Sequence, residues 1–430
     1  MTTLKIGALP CWIRTCSVFV YEFNKRALDH VYQMMDKIDD TFCDRIQERA
    51  LTATMRLTGE KLKVLFYDAT TLYFESFIED ELKQNGYSKD MKFNQPQVLL
   101  ALFVTTNGLP VGYELFPGAT YEGHTLKPVL DKLKARYQID EMIFVADRGM
   151  LSDDNLNYLD ENNISYIVGA KLKALSKNKQ EEILDWGVKV KKIEQKKENE
   201  NNKELPEEVE KSESTYTNNI EINASKHLIL SYKKNRAQKD RYDREKSILK
   251  LQQKLLKSKN PKSVISNYGY QKYLLIDGEA TLRVNEEKLK IDSEWDGLYG
   301  VYTNQTKLSD IEALNHYRSL WQIEESFRIS KHDLSIRPIY HWTPSRIKAH
   351  IAILFMAFVC VRHLEYRIKT QYKKLSPEII RQELLKVKAG IIEDGATKKR
   401  YLIPTKMSQE AKQIYRISGI KYPDQIQAIL

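Results

Sequence analysis

The side chains whose spacing is richest in chemistry are Tyr317, Glu324 and Lys331, seven positions apart within the run from His316 to Lys331. That run has good helix formers, no Pro or Gly, and apolar residues at helical spacing, so it predicts one continuous helix. A step of seven residues drifts only ~20° around an α-helix. One face would then carry a phenol, a carboxylate and an ammonium in line over roughly 21 Å, at ~1.5 Å per residue. That is the reach of several nucleotides, with a carboxylate at its centre. An amphipathic core helix with a charged edge shows the same spacing, because heptads recur in any packed helix. Glu325 is a neighbouring rival, but one residue rotates it ~100° away from the Tyr317–Lys331 face, which favours Glu324.

Two further carboxylates follow buried strands. Leu62 to Thr71 reads as a short apolar strand ending in Asp68 and hydroxyls. A carboxylate at a strand's end is held rigidly while the chain turns away, as a metal ligand must be. Asp followed by Thr-Thr also reads as a turn or a helix cap. Glu141 to Met150 repeats the pattern: a buried strand, then Asp147. After it Ser152 can cap a helix through Leu159, and Ser165 to Ala170 forms another strand. Between the two carboxylates, Gln97 to Phe116 predicts a hairpin turning at Asn107-Gly108. Its first strand, Val98 to Val104, is apolar throughout, which predicts cover on both faces. Asp and Glu suit Mg²⁺ better than His or Cys does, because a hard cation takes oxygen ligands.

Size and charge set the bounds. A chain of 430 residues can form two or three domains, each with its own core. A net charge of +10 and a pI near 9.0 favour a polyanionic partner, though membrane-surface and ribosomal proteins share that balance. Cys11, Cys16, Cys43 and Cys360 lack paired metal-ligand spacing, which suits reduced thiols in a cytoplasmic protein. The longest apolar run, Ile351 to Val361, is too short to span ~30 Å of hydrocarbon, so no membrane partner is expected. The first twenty residues have no clean signal-peptide core.

In chain order, residues 1–60 predict a short helical region, with Leu28, Val31, Met34, Met35, Ile38 and Phe42 on the apolar face of a helix from Tyr21 to Leu57. Residues 61–173 and 306–368 form the two parts of a core, closed by a helix from Ile347 to Tyr366. Asp147 and Glu324 are separated by 177 positions, far more than a connection of a few residues needs, so 174–305 is an insertion. Its first part, 174–217, is so rich in Lys, Glu, Asn and Gln that much of it is expected to be mobile. The remainder predicts strands at Lys226–Tyr232, Tyr270–Ile276 and Leu298–Thr303. It also predicts a basic helix, Lys233 to Lys259, whose Lys233, Lys234, Arg236 and Lys239 could contact phosphates or simply form a solvated face. Trp295 could stack on an extruded base or pack beneath the insertion. The tail, 369–430, predicts a basic helix, a strand near Tyr401 to Pro404 and a last helix.

These words resemble the DDE transposases of bacterial insertion sequences, in the insertion-sequence-four-like group with a Tyr-x2-Arg-x3-Glu-x6-Lys signature. Tyr317, Glu324 and Lys331 match it, with Leu320 in the Arg position; Trp321, Ile323, Phe327 and Arg328 fit the form of a sub-group that commonly lacks this Arg. Ala146-Asp147-Arg148-Gly149 matches the second acidic motif. Gly86 to Asp90, Phe116-Pro117-Gly118, Gly123-His124-Thr125-Leu126, Ser231 to Asp240 and Trp295-Asp296-Gly297 are similar too. The likeness covers roughly Lys61 to Ala357. It implies an α/β fold: a ribonuclease H-like mixed-sheet catalytic core interrupted by a mainly β insertion domain, with helical N- and C-terminal parts. It also implies that Asp68 bridges two Mg²⁺ ions, replaceable by Mn²⁺, with Asp147 on one and Glu324 on the other. The implied substrate is DNA, both the inverted-repeat ends of a mobile element and a target. Tyr317, Lys331 and Arg328 would hold it, and the protein would act as a homodimer in the bacterial cytoplasm at the nucleoid. Relatives carry a helical end-binding domain before the first Asp, so 1–60 reads as a shortened one. Two other readings remain: a DNA-binding relic or inhibitor that never cuts, and a nuclease of the same fold without strand transfer.

Overall fold

β1 (Val64–Tyr73) is buried at every position except Asp68 and Tyr73, which are half-buried. It runs on through Ala69, Thr70, Thr71 and Leu72, so Asp68 sits in mid-strand opposite Leu102, and not at the strand's end as the sequence suggested. β-Branched Thr70 and Thr71 fit a pleated, covered strand better than the turn their polarity implied.

The computed structural model describes residues 25–88, 94–136, 142–150, 152–201, 215–223, 225–257, 273–277, 281–397, 399–421 and 425–429. The chain divides into two units, Met1–Val145 with Ser319–Leu430, and Ala146–Arg318.

The first unit opens with α1 (Lys25–Met35) and α2 (Asp40–Thr58) where the sequence suggested a single helix. Asp39 separates them, its carboxylate capping α2 by accepting from the Phe42 N–H at 2.7 Å. Of the expected apolar face, Met35 and Ile38 are buried, whereas Leu28, Met34 and Phe42 are exposed. After β1 come β2 (Gln97–Thr105), β3 (Pro110–Pro117), α3 (Leu126–Arg136) and β4 (Ile143–Ala146). The strands lie in the order β3-β2-β1-β4, with β2 antiparallel to both neighbours. β2 is buried from Gln97 to Val104, as its unbroken apolar run implied. The hairpin turns at Asn107-Gly108, where Gly108 has φ +69°.

The second unit contributes α4 (Asp153–Glu161), β5 (Ser165–Gly169), α5 (Lys177–Asn201), β6 (Thr215–Asn223), β7 (Lys226–Lys233), α6 (Lys234–Lys257), β8 (Leu274–Asp277), β9 (Thr281–Val284), α7 (Glu286–Glu294), β10 (Leu298–Thr303) and α8 (Asp310–Arg318). Ser152 caps α4 as expected, accepting from the Asn155 N–H. An antiparallel sheet in the order β5-β10-β7-β6 joins β5 to strands of the expected insertion. The charged stretch after Ala174 is a correction: residues 177–201 form helix α5 and are not a mobile linker. Ile183, Gly187 and Val190 are buried at i, i+4, i+7, and that narrow stripe packs on α7 and β7. The rest of the linker, 202–214, and the residues 270–272 of a predicted strand lie outside the described residues.

The first unit then resumes with α9 (Trp321–Arg328), α10 (Pro344–Gln371), α11 (Pro377–Lys386), β11 (Ala389–Glu393), β12 (Arg400–Pro404), α12 (Gln409–Ile417) and β13 (Gln427–Ile429). α10 is long and apolar enough to cross a membrane by length and composition alone. It buries Ile347, Ile351, Phe355 and Phe358 and packs on α2 and β3, the arrangement of a core helix. Its end joins Ile380, Leu384, Ile414 and Tyr415 in a separate small core.

Two histidines on α10 carry a pH dependence. Burial pushes His350 and His363 down to about 4, and His341, 5.0 Å from His350 between ring centroids, adds to the shift at His350. His363 Nε2 lies 2.9 Å from Thr54 Oγ1. Both rings stay neutral when folded but charge near pH 6.5 when unfolded. Stability is therefore full above pH 6.5 and falls as the pH drops from 6.5 towards 4. At pH 5 the loss is at most about 2 kcal/mol per histidine, at ~1.4 kcal/mol per pH unit. Urea unfolding at pH 7 and pH 5 should show His363→Gln losing less stability on acidification than the unsubstituted chain; equal losses would rule out this origin.

Candidate active site

Asp68 and Thr70 are two apart on β1, so they project from the same sheet face. The Asp68 carboxylate accepts from the Ala69 N–H at 2.7 Å. Lys331 Nζ donates to Thr70 Oγ1 at 2.7 Å, which brings an ammonium to the strand face that carries Asp68. α9 packs on β1 and β2 through a side that buries Ile323, Ser326 and Phe327, and Glu324 is exposed beside it. Its rival Glu325 is held by the Arg328 guanidinium at 2.7 and 2.8 Å, a hydrogen-bonded pairing that keeps the Glu325 carboxyl below its usual range. Among the described residues Glu324 forms no salt bridge.

The helix that carries these groups is broken, which corrects the continuous helix expected from the sequence. α8 ends at Arg318 and α9 starts at Trp321. Across the join, the Gln322 and Ile323 N–H groups bond to the carbonyls three residues back. The tight turn leaves Leu320 buried and Trp321 exposed. Ser326 and Ser330 then donate to the carbonyls four residues behind them, a contact that bends helices, and Ile329 to Asp333 widen into a π-helical turn. The step from Glu324 to Lys331 therefore crosses from α-helix into a π-helical turn and is not a regular α-helical heptad. Leu320, at the signature's Arg position, is a core residue.

In the second unit Asp147 is exposed, one residue beyond β4, and leads into a 3₁₀ turn at Arg148–Met150. Tyr317 Oη donates to Asp147 Oδ1 at 3.0 Å. Burial and the neighbouring carboxylate push the phenol above its usual range, so it keeps its proton and acts as donor. The ring lies against Gly169, where an added Cβ would come within 2.1 Å of Tyr317 Oη. The sequence placed Tyr317 on a phosphate; in the fold its hydroxyl is engaged by a carboxylate.

The same unit contains a cleft of about 920 Å³ whose lining includes Arg148, Lys171, Arg236, Arg244, Trp295 and Tyr299. Arg244 forks onto Asp296 at 2.5 and 2.6 Å, and the Arg236 guanidinium lies 4.8 Å from the centroid of the Tyr299 ring. Trp295 is only 8 % exposed, and Lys173 Nζ sits 5.8 Å from its centroid. Its ring is packed inside this unit, with the Lys173 ammonium over it. Where β7 passes into α6, Lys233 and Lys234 are half-buried while Arg236 and Lys239 are exposed. Arg328, expected on DNA, is exposed but paired with Glu325 and, at 3.5 Å, with Asp333.

Asp68 and Glu324 belong to one unit and Asp147 to the other. Among the described residues no group of three or more His, Cys, Asp or Glu side chains could hold a metal ion. Sequence reasoning missed Thr70, although its place two residues after Asp68 on a strand was a usable signal. It also missed Gly169, whose part depends on a residue 148 positions away in the chain (317 less 169).

The architecture is mixed α/β, with strands flanked by helices in each unit. Residues 59–360 match the family described as the transposase DDE domain, and the chain belongs to that family. Two solved structures are similar. One is a piggyBac transposase synaptic complex with hairpin DNA, at 7% identity and a TM-score of 0.37 over 76% of this chain and 52% of that one. The other is a Mos1 transposase paired-end complex with the left transposon end, at 16% identity and a TM-score of 0.19 over 34% of this chain and 43% of that one. The chain thus spans about half the length of the piggyBac chain it matches. No curated protein matches it in sequence.

Proposed function

We propose that this chain cleaves the ends of an insertion sequence and joins the exposed 3′-OH to target DNA, with Asp68, Asp147 and Glu324 holding two Mg²⁺ ions. Membership of the DDE family supports the reaction class. The observation that carries the site is Lys331 fixed on Thr70, which puts a cation on the Asp68 face of β1 while the Glu324 helix packs on the same strand. The donor set is carboxylate oxygen alone, the chemistry a hard divalent cation requires. Such cations neutralise charge on the attacking and leaving oxygens of a phosphodiester. Lys331 holds a phosphate of the scissile strand beside Asp68, and Thr70 orients its ammonium. Arg236 and Lys239, with Lys233 and Lys234 behind them, follow the DNA backbone, a contact weakened by salt through counterion release. Leu320 classes the chain with the sub-group of insertion-sequence-four-like transposases that lacks the signature Arg. The protein works as a homodimer across two element ends, at the nucleoid of a bacterial cytoplasm.

The test is purified chain with Mg²⁺ and DNA bearing its own element's ends. Joined products are the expected result. Nicked but unjoined DNA would make it a nuclease, and binding without any cut would make it a relic or inhibitor.

A further inference from the structure

We propose that Tyr317 is a positioning residue, its phenol fixing the Asp147 carboxylate through Oδ1, and that Gly169 is the gap that lets it reach. The inference rests on Asp147 being a cation ligand. Asp147 is exposed and lies beyond the end of β4, so neither the sheet nor the core sets its rotamer. Tyr317 supplies that constraint from a different element. α8 is anchored before Tyr317 by the buried Ala313 and Leu314, and Arg318, the residue after Tyr317, donates from Nε to Tyr299 Oη at 2.9 Å. The phenol is therefore held on both sides of its Cα, and its 3.0 Å bond occupies one carboxylate oxygen. A partner of this kind orients a ligand and typically changes metal affinity by about 10–100-fold when removed.

Gly169 makes the arrangement specific. It ends β5, paired with Val301, and a Cβ there would meet Tyr317 Oη at 2.1 Å, Cζ at 2.8 Å and Cε2 at 3.1 Å. Any other residue must push the ring off Asp147. The three atoms nearest to such a Cβ all belong to Tyr317, so the smallness of position 169 serves the phenol and not a backbone turn.

The experiment uses the full chain on element-end DNA and measures Mn²⁺ binding by electron paramagnetic resonance, the Mg²⁺ concentration for half-maximal cleavage, and DNA affinity. Tyr317→Phe should weaken Mn²⁺ binding and raise the Mg²⁺ requirement by about 10–100-fold, with DNA affinity unchanged. Gly169→Ala should do the same with the tyrosine intact, and adding Tyr317→Phe to it should do nothing more. If Gly169→Ala melts early, Tyr317→Ala in that background should restore the melting temperature but not metal affinity. Normal metal dependence in Tyr317→Phe overturns the proposal, as does a loss of DNA affinity with metal binding intact. Asp147→Asn separates the two levels: if it leaves Mn²⁺ binding and cleavage untouched, the assignment of the site fails; if it abolishes them while Tyr317→Phe is silent, only the positioning role fails.

Discussion

Asp68→Asn, Asp147→Asn and Glu324→Gln should each cut Mg²⁺-dependent cleavage of element-end DNA by at least about 10³-fold. Cation stabilisation of the transition state is worth several kcal/mol, and ~1.4 kcal/mol is a factor of ten in rate. Each change keeps the side chain's volume and removes its charge, so packing on β1 or α9 is preserved. DNA affinity should stay within about twofold, because phosphate contacts come from Lys and Arg. Glu325→Gln is the control. Its carboxylate is already paired with Arg328, so its removal should leave cleavage within about tenfold, the scale of a surface pair worth ~1 kcal/mol. Radiolabelled end DNA, followed through nicking and joining, reads all four. Full cleavage by any of the three carboxylate variants, or its abolition by Glu325→Gln, would overturn the assignment.

How much of this was legible in the chain can be judged element by element. β2, the hairpin at Asn107-Gly108, β7 and β10 were readable because burial and turn chemistry are local signals that agree with each other. α5 was not, because three buried positions among Lys and Glu contribute almost nothing to composition, and composition suggested disorder. The break between α8 and α9 was invisible for a related reason. No Pro or Gly marks it; the chain tightens there into a turn that buries Leu320, and that burial is a feature of tertiary packing. Asp68 and Asp147 stood out by type and by the strands before them, but Asp68's place in mid-strand depended on how Thr70 and Thr71 are covered. The Tyr317–Asp147 bond lay beyond any spacing rule, since the positions are 170 apart (317 less 147).

Arg362→Ala should destabilise the protein by about 3–5 kcal/mol, the cost of removing one partner from a buried ion pair. Arg362 is 6 % exposed, and it holds three things together. Its Nε donates to the Gly108 carbonyl at 2.9 Å, one terminal nitrogen donates to the Asn107 carbonyl at 3.1 Å, and the other pairs with Glu365. It thereby ties helix α10 to the tip of the β2–β3 hairpin, next to the strand that carries Asp68. Burial raises the Glu365 carboxyl above its usual range, with Arg362 opposing the shift. Without Arg362 that pKa rises further. A carboxyl with a raised folded pKa favours the fold below the unfolded value of ~4.3 and loses that contribution as the pH climbs through the folded value. The deficit of Arg362→Ala should therefore be larger at pH 7 than at pH 4.5 in denaturant unfolding. Replacing both partners, Arg362→Leu with Glu365→Leu, should recover part of the loss and flatten its pH dependence, leaving the cost of two carbonyls at the hairpin tip. A deficit below about 1 kcal/mol, the size of an exposed surface pair, would mean that the hairpin tip does not depend on this guanidinium.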